Sequence, residues 1–93
     1  MLYFVIEYFK DPAAIAEVYK RFAEKGRMLP NGLHYVDSWV EANLRRCFQL
    51  METDDPELFD QWTARWNDLV DFEITPVTKS STASDLIISN AEE

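Results

Sequence analysis

Three carboxylates, one thiol and one imidazole stand in this sequence where chemistry is possible. Glu7, Asp37 and Glu73 each interrupt a stretch of aromatic and β-branched residues, Tyr3 to Phe9, Tyr35 to Val40 and Val70 to Val77. Burial in such surroundings disfavours the ionised form and raises a carboxyl pKa towards neutrality, where a general acid or base works best. Glu7 and Asp37 are the candidate catalytic residues on this ground. The competing reading is an ion pair with Arg45 or a hydrogen bond across a subunit boundary, because such networks also perturb pKa values.

Cys47 is the only cysteine, which excludes an intramolecular disulfide and any thiolate cluster for zinc or iron–sulfur. A nucleophilic role needs a neighbour that lowers its pKa, and the default is a small buried hydrophobe. His34 is the only histidine and has the one side chain whose ordinary pKa lies near neutrality. One histidine and a few scattered carboxylates do not make a metal site, so neither metal nor cofactor is expected. Tyr35, Trp39 and Gln49 suit a pocket for a planar organic molecule, with rings to stack on and an amide to orient it. Arg27 has the planar fork that clamps a carboxylate, against a default role at the negative end of a helix dipole. Together with Cys47 and His34 these form the candidate ligand-binding set.

The elements that must position these groups are legible from periodicity. Leu2 to Phe9 is too short for a useful helix and reads as a strand apolar on both faces. Asp11-Pro12 then supplies an N-cap and a first-turn proline, Ile15, Val18, Tyr19 and Phe22 follow at helical spacing, and Gly26 is a natural stop. After a loop with Pro30 and Asn31-Gly32, Leu33 to Glu41 and Arg45 to Glu52 read as strands joined by Ala42-Asn43-Leu44, with Asn43 suited to the left-handed turn position. Asp54-Asp55-Pro56-Glu57 repeats the helix-start device, Leu58, Phe59, Trp62, Trp66 and Leu69 mark one helical face, and Val70 to Thr78 is a fourth strand. Pro76 argues that this part of the strand lies at a sheet edge or near a bulge.

Two strand–helix–strand units joined by a hairpin make a βαββαβ ferredoxin-like α+β sandwich, with a four-stranded antiparallel sheet of order 4-1-3-2 and both helices on one face. Residues 1–78 form that domain and residues 79–93 a C-terminal tail, loose or docked on a partner subunit. Alternation along the strands assigns Phe4, Ile6, Val36, Val40, Phe48, Leu50, Phe72 and Ile74 to the helix side. Tyr3, Val5, Glu7, Phe9, Tyr35, Asp37, Trp39, Arg45, Cys47, Gln49, Met51, Glu73, Thr75 and Val77 then fall on the open face. So many aromatics exceed what a monomer normally exposes, and a homodimer packed face to face across a two-fold axis would cover them and enclose a cavity.

Composition narrows the partners. The chain of 93 residues is 47% apolar and 14% aromatic, enough to fold despite a net charge of −8. Residues 1–46 carry seven Lys/Arg against six Asp/Glu, and residues 47–93 two against eleven. An acidic second half repels phosphate backbones, so no nucleic-acid partner is expected. The opening run Met1 to Glu7 has no basic flank or small-residue cleavage site, and no eighteen apolar residues are consecutive; with a single thiol, a cytoplasmic chain that makes no membrane contact is expected.

Three segments carry a resemblance: Gly26-Arg-Met-Leu-Pro-Asn-Gly-Leu-His-Tyr-Val-Asp-Ser-Trp-Val, Cys47-Phe-Gln-Leu-Met-Glu-Thr-Asp-Asp-Pro and Trp66-Asn-Asp-Leu-Val-Asp-Phe-Glu-Ile-Thr-Pro-Val. The chain resembles, over about residues 1–78, an uncharacterised bacterial domain family of unknown function in the dimeric α+β barrel superfamily. The resemblance implies the fold and a sheet-to-sheet dimer, but brings no activity, substrate or cofactor. The wider superfamily includes cofactor-independent monooxygenases, muconolactone-type isomerases, haem-using enzymes and stress-response proteins, none with a catalytic motif that aligns here. The reading from sequence is a homodimeric barrel that binds a small aromatic or carbonyl-containing molecule between its sheets, with cofactor-independent acid/base or oxygenase-type chemistry. The alternative is a non-enzymatic interaction domain whose open face is only an interface.

Overall fold

The computed structural model describes residues 1–92. Its elements follow the order β1 (Leu2–Phe9), α1 (Pro12–Lys25), β2 (His34–Val40), β3 (Arg46–Glu52), α2 (Leu58–Thr63), β4 (Val70–Val77) and α3 (Ser80–Glu92). The four strands form one antiparallel sheet ordered β2-β3-β1-β4, the ferredoxin-like arrangement. The Asp11 carboxylate accepts from Ala14 N at 2.8 Å and Pro12 opens α1, while Gly26 ends it at φ 66° with its N–H bonded to the Phe22 carbonyl. β4 lies at the sheet edge, where Pro76 costs no ladder bond.

Four details depart from the sequence reading. The left-handed residue of the β2–β3 connection is Leu44 (φ 62°); Asn43 instead accepts from Arg45 N through its side chain. Regular helix in α2 ends at Thr63, and hydrogen-bonded turns carry the chain on to Val70. Most of the stretch expected as a tail is the helix α3, and its last residue lies outside the described residues. Leu86, Ile87 and Ile88 are 59%, 68% and 54% exposed, and the radius of gyration of 15.8 Å exceeds the roughly 12 Å of a compact chain this long. α3 therefore stands away from the body.

The fourth departure concerns the faces of the sheet. Phe72 and Ile74 turn towards the helices as expected, and the register pairs Val5 with Ile74 and Gln49, and Glu7 with Phe72 and Cys47. Directly paired residues share a face, so Tyr3, Val5, Glu7, Phe9, Cys47, Gln49 and Met51 point towards the helices. Phe4, Ile6, Phe48 and Leu50 lie on the open side, the reverse of the assignment from alternation. In β2 a bulge at Val36 changes the phase: Tyr35 pairs with Met51 on the helix side, while Asp37 pairs with Leu50 and Trp39 with Phe48 on the open side.

The core is built on the helix side from Val5, Leu33, Met51, Phe59, Trp62 and Trp66, with Tyr3, Phe72 and Ile74 packed against it. Phe59 meets Tyr3 edge-on at 5.1 Å between ring centroids, and Trp62 lies 5.2 Å from Phe72. Met51 is fully enclosed, at 0% exposure. Met51→Ala leaves a cavity beneath these rings and is expected to lower unfolding free energy by about 2–5 kcal/mol; urea titration followed by circular dichroism checks this, and a loss below about 1 kcal/mol would show that the core collapses around the gap.

Candidate functional site

The site is set by the way α1 meets the sheet. Ala14 is buried near the start of α1, but further along Tyr19 and Phe22 remain 47% and 40% exposed. The space left between α1, the turns after α2 and the sheet is a cavity of about 220 Å³. Phe9, Val18, Tyr19, Phe22, Val40, Trp62, Trp66, Val70 and Phe72 make it largely apolar, and Glu7, Arg27, Ser38, Cys47 and Gln49 supply its polar groups. An engineered apolar cavity of about 150 Å³ accommodates benzene, so this one is sized for a substituted single ring.

Glu7 projects from the middle strand-pair of the sheet into this apolar space. Burial pushes its carboxyl up from the usual 4.5 to about 7; the positive charge of Arg27 and hydrogen bonding by the Cys47 thiol oppose the rise without cancelling it. Cys47, directly across the β1–β3 ladder, is pushed up to about 12, first by burial and then by the Glu7 charge. The thiol is thus held protonated, unsuited to nucleophilic attack and suited to donating towards the carboxylate. Glu7 is the group poised to exchange a proton near neutral pH.

Arg27 reaches the cavity from the loop after α1, and that loop is fixed by its backbone. The Arg27 carbonyl accepts from both indole N–H groups, Trp62 Nε1 at 3.1 Å and Trp66 Nε1 at 3.0 Å. The next carbonyl, of Met28, accepts from the Arg65 guanidinium. Gly26 (φ 66°) and Met28 (φ 57°) take the left-handed turns that aim both carbonyls at these donors. The Arg27 side chain lies over the Tyr35 ring at 3.6 Å and faces Phe22 at 5.0 Å, and its Nε approaches Gln49 Oε1 at 3.5 Å. Gln49 in turn donates to Met51 Sδ at 3.4 Å.

Five of the residues singled out from sequence are therefore gathered here: Glu7, Cys47, Gln49 and Arg27 line the cavity, and Tyr35 supports Arg27. Four lie elsewhere. Glu73 is exposed on the open side, accepting from Tyr8 Oη at 2.7 Å. Asp37 is exposed on the open side, its carboxylate accepting from Ser38 N at 2.8 Å. Trp39 is 52% exposed on that same side. His34 is exposed at the start of β2, opposite Glu52. The cavity wall adds Tyr19, Phe22, Trp62, Trp66 and Phe72, which alternation and helical spacing mark only as apolar-face residues. Among the described residues, no group of three or more His, Cys, Asp and Glu is placed to hold a metal ion.

The family model described as "Domain of unknown function (DUF3303)" matches residues 1–90. No curated protein matches the chain. Among solved structures, an antibiotic biosynthesis monooxygenase is similar with 23% identity and a TM-score of 0.52, over 85% of this chain and 98% of that one. Rv0793 from Mycobacterium tuberculosis is similar with 11% identity and a TM-score of 0.52, over 85% of this chain and 97% of that one. At these identities the likeness establishes the fold, which is that of the antibiotic biosynthesis monooxygenase structures. No helix among the described residues is long and apolar enough to cross a membrane.

The raised carboxyl has a thermodynamic consequence with a definite sign. Folded Glu7 holds its proton up to about pH 7, whereas the unfolded chain releases it near 4.5. The folded state binds more protons between those limits, so this group's contribution to stability is complete below pH 4.5 and is lost as pH rises to 7. Glu7→Gln removes the titration, and should match wild type near pH 4 but exceed it at pH 8 by up to about 3 kcal/mol. Parallel urea titrations at the two pH values check this; an equal difference at both would show that Glu7 is not buried as described.

Proposed function

We propose that this chain, which belongs to the DUF3303 family of domains of unknown function, binds a small, largely apolar organic molecule in the cavity between its helices and its sheet, with Glu7 as the acid/base group. The observation that carries this reading is a single carboxyl, held near pH 7 by burial, inside a space of about 220 Å³ walled by Trp62, Trp66, Phe72 and Phe22. A carboxyl with no such role is more stable in water or paired. Here it faces a thiol that stays protonated and an arginine beyond salt-bridging distance, leaving its oxygens available to a bound molecule.

A carbonyl compound with acidic C–H bonds fits this arrangement. Ionised Glu7 takes the proton from the carbon next to the carbonyl, the electron pair moves towards the oxygen, and the same carboxyl returns a proton from solvent. No redox partner is required. By analogy of fold with the antibiotic biosynthesis monooxygenase, reaction of such a carbanion with molecular oxygen belongs to the same reading, with proton abstraction as its first step.

The open face supports the homodimer. Phe4 and Phe48 stack there at 6.0 Å, and Ile6, Leu50 and Trp39 continue the apolar patch. Around it polar groups bond within the chain: Tyr8 donates to Glu73 at 2.7 Å, Lys10 pairs with Asp71 at 2.9 Å, and Arg46 pairs with Glu41. An apolar centre with a polar rim is the composition of a protein interface. A second copy, presenting the same patch, is its occupant in this reading.

Two measurements test these proposals. In D2O near neutral pD the protein should accelerate deuterium incorporation at the α-carbons of 2-indanone, and Glu7→Gln should slow the protein-dependent rate by at least about a hundredfold. An undiminished rate in the variant removes Glu7 from the chemistry, and failure of the ketone to bind removes the ligand site. Light scattering across a dilution series should give the mass of a dimer, reduced to that of a monomer by Trp39→Asp; a dimer unaffected by that charge would mean that another surface joins the copies.

A further inference from the structure

Among the described residues, Arg27 is the one cationic side chain lining the cavity and takes part in no salt bridge. Its guanidinium is held between Tyr35 and Phe22, with ring-centroid distances of 3.6 and 5.0 Å. Both ring faces attract the cation without using its N–H donors. Among the described residues, the only hydrogen bond the side chain makes is from Nε to Gln49 Oε1, at 3.5 Å the outer limit of such bonds. The two terminal nitrogens therefore present their donors, half-buried and in fixed orientation, with no acceptor among the described residues.

The same loop is pinned independently of that side chain, by the two indole N–H groups on the Arg27 carbonyl and by Arg65 on the Met28 carbonyl. A long side chain normally loses much of its rotamer freedom when it clamps a ligand; here backbone anchoring and the two rings have already restricted it. A planar fork prepared in this way recognises a carboxylate through two parallel N–H···O bonds. We infer that the cavity selects small organic monocarboxylates whose apolar body, of about single-ring size, lies against Trp62, Trp66 and Phe72. This rests on the cavity being a ligand site, as proposed above. With Glu7 protonated, a single unpaired cation in an apolar wall compensates one buried negative charge, and a dianion would leave the second uncompensated.

The selectivity is read by calorimetric titration with sodium 4-methylbenzoate, 4-methylbenzamide and 2-indanone at pH 6.5 in low salt. The carboxylate should bind at least about tenfold more tightly than the amide of the same shape, and its affinity should fall with added salt. Arg27→Gln should remove that preference, lowering carboxylate affinity at least about tenfold and amide affinity by less. Arg27→Lys should keep only part of it, because the point charge survives without the fork. Equal binding of carboxylate and amide by the wild type, or an undiminished preference in Arg27→Gln, overturns the inference while leaving the ligand site standing. Absence of binding by all three probes overturns the ligand-site reading itself and this inference with it.

Discussion

Two indole N–H groups converging on the carbonyl of Arg27 are the constraint from which the site follows. A carbonyl has two lone pairs, and Trp62 and Trp66 occupy them at 3.1 and 3.0 Å. Both indoles are otherwise core groups, so each satisfies a buried donor that would cost free energy if left unpaired. The bonds tie the loop after α1 to the turns after α2, which ties one side of the cavity to the other. Without this tie the loop would be free to close over the space between α1 and the sheet, and the Phe22 and Tyr35 rings would lose their guanidinium.

The sheet supplies the complementary half. Its two faces are both apolar, but they differ in how the apolar groups are used. Towards the helices, Val5 and Met51 are fully buried and Glu7, Cys47 and Gln49 stand where the helical layer leaves a gap. On the other side the aromatic groups of Phe4, Phe48 and Trp39 face outward, and Lys10 pairs with Asp71 and Arg46 with Glu41 around them. A strand apolar on both sides, such as β1, is expected where both faces of a sheet become covered. α3 leaves the edge strand after only Thr78 and Lys79, with its apolar residues exposed, so the body offers one uncovered face and the chain one uncovered helix.

Sequence reading reached the topology because local devices were strong: Asp11-Pro12 and Gly26 each have one structural use and are found in it, and of the two places open to Pro76, an edge or a bulge, it takes the edge. It singled out Glu7, Cys47 and Gln49, which line one cavity, because such residues are conspicuous in an apolar stretch on either face, and Arg27, which lines it too, for its planar fork. What it missed was which face the helices cover. Alternation states which residues share a side, yet for β1 both Phe4/Ile6 and Tyr3/Val5 are apolar, and hydropathy cannot choose between them. The register decides, through Phe72 and Ile74 opposite Glu7 and Val5. The bulge at Val36 was also invisible; it separates Tyr35 from Asp37 and Trp39, which simple alternation would keep together. The α3 helix escaped because Ser80 to Ser84 carries the composition of a loop.

The energetics of Glu7 explain why these parts belong together. A buried carboxyl near pH 7 is half ionised in the folded state, so the protein carries the cost of desolvating it without a salt bridge to offset that cost. Arg27 stands near enough to act through its charge but is directed elsewhere, by Tyr35 and Phe22 on its faces and by Gln49 at its Nε. Had the loop been free, the two groups would have met and Glu7 would have returned to the ordinary carboxylate range. Keeping an acid and a cation apart in one apolar space requires a rigid frame on both sides, which the ladder of β1 and β3 and the doubly bonded Arg27 carbonyl provide. The separation leaves each group with unused capacity, a proton acceptor on one wall and a pair of donors on the other, and a molecule of single-ring size spans the space between them.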